Sequence, residues 1–183
     1  MELVEPIRDK NKIEEIKVVL SKSGTRDLLL FVFGINSGLR ISDILPLKKS
    51  DVETGTVTIK EKKTGKTKQF PLNSAIQEIL KPYIETLSDN DYLFKSRQSN
   101  GKSPYMTRQQ AYNIINKAAK TVGINGKIGT HTLRKTFGYW FYQQEHDVAL
   151  LQDLLNHAAP SITLRYIGIN QDIKNQAYLN FAL

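Results

Sequence analysis

Apolar positions recur along this chain with two different periods. Over residues 9–20, Ile13, Ile16, Val19 and Leu20 fall at helical spacing among charged side chains, which predicts an amphipathic helix. Residues 25–36 (TRDLLLFVFGIN) follow Gly24 and are almost wholly apolar after Asp27. A run of that length opened by Thr25 predicts a helix buried on most sides. Gly38 ends it, and Leu39, Arg40 and Ile41 lead into a short helical stretch, Ser42 to Leu45, stopped at Pro46. The period then changes. Val57 and Ile59 alternate with Thr56, Thr58 and Lys60, as in a strand. Lys62-Lys63-Thr64-Gly65-Lys66 reads as a turn and Thr67 to Pro71 as a returning strand, so a small antiparallel sheet carries a lysine-rich turn.

Helical spacing resumes after Asn73, a candidate N-cap, with Ile76, Ile79, Leu80, Ile84 and Leu87 on one face. Pro82 is expected to kink or divide that helix. Tyr92 to Phe94 predicts a short strand or turn, and Gln98 to Pro104 a loop. Thr107 and Gln110 form a capping-box pattern ahead of Tyr112, Ile114, Ile115 and Ala118. A loop over Gly123 to Gly129 precedes helices expected at 131–145, 147–156 and 160–167, with a last one near 171–180. The expected class is α+β, mainly helical, with one small antiparallel sheet on a helical bundle. There is no internal repeat and no low-complexity segment.

Composition narrows the chemistry. The 183 residues hold 26 Lys plus Arg against 18 Asp plus Glu, a net charge of +8. That length suits one domain. The absence of Cys excludes a disulfide scaffold, a zinc ribbon and a cysteine nucleophile. No run approaches the roughly 18 apolar residues of a membrane span, and the first residues lack the apolar core of a signal peptide. A cytoplasmic protein is expected, without membrane contact. Positive charge is densest at residues 60–68 (KEKKTGKTK), five Lys against one Glu, a pattern that suits nucleic acid or an anionic surface.

Several polar residues are candidates for chemistry, each with a plainer reading beside it. His131 and Arg134 lie three apart, on one helix face near its start, or share that face by chance. His157 ends an apolar helical run, where a capping role serves equally. Tyr166 fits a core position. Arg40 fits a cap on the preceding helix. Lys63 fits a solvated turn. The three His residues show neither an HExxH spacing nor clustered carboxylates, so neither metal nor cofactor is expected.

In order, however, these residues are distinctive. Ser37-Gly38-Leu39-Arg40-Ile41-Ser42-Asp43, Lys63-Thr64-Gly65-Lys66, His131-Thr132-Leu133-Arg134 and Leu154-Leu155-Asn156-His157, with Tyr166 nine residues further on, resemble the tyrosine recombinase (phage integrase) family. The 23 residues from Arg134 to His157 also match. Asn156 departs from the usual glycine. The resemblance covers nearly the whole chain and implies a catalytic domain that cleaves and rejoins DNA through a 3′-phosphotyrosyl intermediate. It implies Arg40, Lys63, His131, Arg134 and His157 as catalytic groups and Tyr166 as nucleophile. Lys60, Lys62, Lys66 and Lys68 are expected to touch DNA phosphates.

The expected partner is double-stranded DNA, bound by a tetramer on paired sites, with a monomer when free, accessory DNA-bending proteins and a nucleoid location. Only 39 residues precede Arg40. One domain over 1–183 is therefore expected, without the family's usual N-terminal clamp and with salt-sensitive DNA binding. Other readings stay open: a type IB topoisomerase, a non-catalytic DNA-binding remnant or regulator of a mobile element, and a basic helical domain for membranes or RNA.

Overall fold

The computed structural model describes residues 4–97, 103–169 and 178–181. Asp9 caps α1 (Lys10–Ser23) through its side chain, which accepts from the Asn11 N–H. Helix α2 (Thr25–Ser37) is the axis of the fold. Leu29, Leu30, Phe31, Val32 and Phe33 are all buried, because α1, α4 (Ser74–Ile84), α5 (Arg108–Thr121) and α6 (Thr130–Glu145) surround it. A buried helix leaves its one acid costly, and Asp27 is paired with Arg26 at 2.6 Å and Arg97 at 3.4 Å.

A short α3 (Ile41–Ile44) and a 3-10 turn (Lys49–Asp51) lead into the sheet. Strands β1 (Thr56–Lys60) and β2 (Thr67–Pro71) pair antiparallel, Thr56 opposite Pro71 and Lys60 opposite Thr67. Val57 is buried on the covered face, with Ile59 and Phe70 beside it. The expected caps are present: Asn73 accepts from the Ile76 N–H at 3.1 Å, and Thr107 and Gln110 cap each other. Helix α4 runs through Pro82 and ends two residues later, so the proline shortens the helix without dividing it. Tyr92 and Tyr105 form isolated bridges with Lys48 and Lys95. Most of the expected loop at 98–104 and of the expected helix at 171–180 lies outside the described residues.

The chain ends in two short helices, α7 (Val148–Leu154) and α8 (Pro160–Ile167). They bury Leu151, Leu155 and Ile167 against Phe137, Tyr139, Phe141 and Tyr142 of α6. This second core is separate from the main one, and α6 belongs to both. The candidate residues gather at the seam.

Helix α6 comes very close to α2. A Cβ on Gly34 would lie 2.9 Å from the Leu133 Cβ, a separation that side chains do not tolerate. Gly34→Ala is therefore expected to lower stability by about 1–3 kcal/mol through overpacking, read as a lower urea midpoint at unchanged slope.

Candidate active site

Arg40 reaches the seam because α2 stops abruptly. Gly38 is left-handed, with φ 62°, and a Cβ there would lie 2.6 Å from the Phe137 ring. Only glycine both turns the chain and admits α6 this closely. Arg40 then starts α3 in an extended conformation. Its side chain is 14% exposed and its Nη1 donates to Glu61 Oε2 at 2.9 Å.

Arg134 lies early in α6 and is buried. Its Nη1 donates to the Gly38 carbonyl at 2.6 Å, and its Nη2 donates to the Leu155 carbonyl. One guanidinium thus ties the end of α2 to the end of α7. The Gly38 carbonyl that Arg40 was a candidate to cap is satisfied by Arg134.

His157 follows Asn156, which holds φ 50°. The His157 Nδ1 lies 3.1 Å from the Thr163 Oγ1. Its ring meets that of Tyr166 edge-on, centroids 5.0 Å apart. The Tyr166 hydroxyl is buried without a hydrogen-bond partner among the described residues. The Lys135 Nζ lies 5.2 Å from the centre of the Tyr166 ring. His131 and Tyr166 line one cleft of about 900 Å³, with Arg108, Tyr112, Lys135 and Ile162 on its walls.

Arg40, Arg134, His157 and Tyr166 are thus close together, and His131 opens onto the same cleft. Lys63 is exposed on the turn between the strands, and its charge still acts on His157. Lys60, Lys62 and Lys66 are exposed. Lys68 is drawn inward instead, and its Nζ donates to the Leu154 carbonyl at 2.7 Å. It pairs with Ile59 across the sheet, and cross-strand partners share a face, here the covered one.

Two acidic residues also belong to the site. Glu61 is fully buried at the end of β1. Burial raises its pKa, but hydrogen bonds from Thr64 and Arg40 and the Arg40 charge hold it below the usual carboxylate value. Asp43 is buried and its Oδ1 accepts from the Lys62 N–H at 3.0 Å, steadying the turn. The strand period was the available signal for Glu61, since Val57, Ile59 and Glu61 point to one side.

Charge states follow from crowding. Burial lowers the His157 pKa to about 4, helped by the positive charges of Arg134, Arg40 and Lys63. His131 is lowered by burial, then by Arg108, Arg134, Arg40 and Lys135. Burial raises the Tyr166 phenol against the opposing pull of Arg134 and Arg40. At neutral pH both imidazoles are neutral and the phenol keeps its proton.

Residues 8–172 match the phage integrase family. The chain belongs to that family. It is 47% identical over 182 residues to the probable integrase/recombinase YoeC of Bacillus subtilis, covering 99% of this chain and 98% of that one. It is 29% identical over 160 residues to the tyrosine recombinase XerA of Pyrococcus horikoshii, covering 85% of this chain and 55% of XerA. Among solved structures, a XerA recombinase superposes with a TM-score of 0.75 at 20% identity, over 98% of this chain and 64% of that one. XerH, solved in a post-cleavage complex with a palindromic difH substrate, superposes with a TM-score of 0.73 at 25% identity. That match covers 97% of this chain and 53% of XerH. The integrase therefore has the mainly helical fold with a two-stranded antiparallel sheet seen in tyrosine recombinase catalytic domains. It is a site-specific DNA recombinase by family. Among the described residues, no helix is long and apolar enough to cross a membrane.

Two outcomes follow for this integrase. Arg134→Lys keeps the charge but loses the fork that bridges two carbonyls. It is expected to cost about 2 kcal/mol or more, seen as a lower denaturant midpoint. The His157 value in the folded chain lies below its ordinary 6.5, so protonation favours the unfolded chain. That contribution to stability is fully present above pH 6.5 and is lost as pH falls towards 4. The melting temperature is expected to decline over that window, and less steeply in His157→Gln. Equal slopes would rule out the His157 contribution.

Proposed function

We propose that Tyr166 attacks a DNA phosphodiester held by Arg40, Arg134 and His157. The observation that carries this reading is the buried Tyr166 hydroxyl beside His157 and the two arginines. A phosphodiester is an anion with a poor leaving group. Cleaving it calls for positive donors around the phosphate and a proton for the departing alkoxide. Two guanidinium forks suit the non-bridging oxygens better than point charges do. In the tautomer whose Nδ1 accepts from the Thr163 hydroxyl, the neutral His157 ring carries its proton on Nε2 and adds a third donor.

The protonated phenol is a weak nucleophile and needs a base. His131, neutral in this cleft, takes the phenol proton directly or by relay. The Tyr166 oxygen bonds to phosphorus, the bond from phosphorus to the 5′ oxygen breaks, and Lys63 protonates that oxygen. The product is a 3′-phosphotyrosyl enzyme with a free 5′-hydroxyl. The ester retains the energy of the broken bond, so a second 5′-hydroxyl can reverse the step on a new partner strand without ATP.

The substrate is double-stranded DNA in the nucleoid, and the hairpin lysines Lys60, Lys62 and Lys66 contact its phosphates. The recombining form is a tetramer on paired sites. Tyr178, Leu179 and Phe181, at 81%, 84% and 70% exposure, suit contacts between protomers. The 183 residues act as one catalytic unit, whose grip on DNA weakens steeply with salt.

The test is to incubate the protein with nicked host DNA in EDTA without nucleotide, denature in SDS, and assay for protein on DNA 3′ ends. Wild type is expected to attach and Tyr166→Phe not at all. Arg134→Ala, assayed at a temperature where it stays folded, is expected to lose on the order of 10²–10³ in rate. Attachment by Tyr166→Phe would refute the nucleophile. Binding without attachment by wild type would instead favour a DNA-binding regulator.

A further inference from the structure

Glu61 is an expensive residue to keep. Its side chain has 0% exposure, and a buried carboxylate loses its hydration unless donors surround it. Here the donors come from three separate segments. The Oε2 atom accepts from Arg40 Nη1 at 2.9 Å, Thr64 Oγ1 at 2.7 Å and Asn156 Nδ2 at 3.1 Å. The Oε1 atom is buried without a hydrogen-bond partner among the described residues. The Glu61 backbone also closes the lysine turn, its N–H donating to Lys66 at 2.9 Å and its carbonyl accepting from Gly65 at 2.8 Å.

Asn156 points the same way. Its φ of 50° is one that glycine adopts freely and most side chains avoid. A side chain kept there needs a use, and the amide spends its hydrogen bond on Glu61. The neighbour of Asn156 is His157, and the neighbour of Thr64 is Lys63. One carboxylate oxygen therefore touches Arg40 itself and the residues flanking His157 and Lys63, assigned to the phosphate and to the leaving oxygen.

We infer that Glu61 is a positioning residue for strand cleavage, holding Arg40, the Lys63 turn and the approach to His157 in one register before DNA arrives. The inference rests on the proposed roles of Arg40, Lys63, His157 and Tyr166. Glu61 uses part of the Arg40 fork and leaves its other N–H donors for the phosphate. A carboxylate that merely competed with phosphate for Arg40 would act in the opposite sense, and its removal would speed cleavage.

The experiment uses the full 183-residue chain and the DNA ends recovered from wild-type attachment. Single-turnover cleavage at saturating DNA is measured beside DNA affinity and melting temperature, for wild type, Glu61→Gln, Glu61→Asp, Asn156→Gly and the double variant Glu61→Gln with Asn156→Gly. Glu61→Gln keeps the shape and removes the charge. It is expected to cleave on the order of 10-fold to 10²-fold more slowly while binding DNA as tightly or more tightly. Glu61→Asp keeps the charge but draws it back from its donors, and is also expected to be slow.

Asn156→Gly suits the local backbone, so its folding is secure, and it is expected to cleave severalfold more slowly. The double variant is expected to be no slower than Glu61→Gln, since both changes act on the one contact between residues 61 and 156. Cleavage by Glu61→Gln at or above the wild-type rate overturns the inference. So does multiplication of the two effects, or a parallel loss of affinity, rate and melting temperature. Absence of attachment by wild type sinks the underlying assignment itself, and is distinguished because wild type is scored first.

Discussion

The Arg134 guanidinium is the point on which the two halves of this molecule meet. Its two terminal nitrogens bond carbonyls at the ends of α2 and α7, groups that helix geometry leaves without partners. A buried arginine is stable only when its donors are used, so the side chain fixes both helix ends as it is fixed by them. The approach of α6 to Gly34 and Gly38 of α2 puts it in reach. The left-handed turn at Gly38 then aims Arg40 at the same spot. Fold and site share one set of contacts here, and a change in the α2–α6 packing is felt at Arg40 and Arg134.

Electrostatically, the DNA-free site is a concentration of positive charge around groups held in their neutral forms. Burial, helped by Arg134, Arg40 and Lys63, presses the His157 proton off, and burial keeps the Tyr166 proton on. Glu61 is the only acid bonded to either arginine among the described contacts. On the proposed reading, a bound phosphate would supply negative charge here and ease protonation of both histidines.

Much of this was readable from residue order. The α2 run stands out because it is apolar on every side, and the hairpin because Val57 and Ile59 alternate with polar residues. Asn73 and Thr107 announce helix starts through chemistry that acts within four residues. Arg40, Lys63, His131, Arg134, His157 and Tyr166 were legible as an ordered set by resemblance, and four of them do come together. Long-range contacts were not legible. Glu61 counted only as one negative charge in a basic stretch, because nothing local says that Arg40 and Asn156 arrive beside it. Lys68 was grouped with its solvent-facing neighbours, although its register opposite Ile59 turns it under the sheet.

The division into two cores has a mechanical consequence. Arg40, Lys63 and Arg134 are anchored to the large core, whereas Tyr166 rides on a satellite held by three fully buried side chains. Besides its apolar packing on α6, the satellite is fastened by polar ties: Arg134 and Lys68 donate to its Leu155 and Leu154 carbonyls, and its Asn156 donates to Glu61. A unit with so little buried apolar surface opens at lower free energy than the body that carries it. The segment that carries Tyr166 is therefore expected to open before the body that carries Arg40 does.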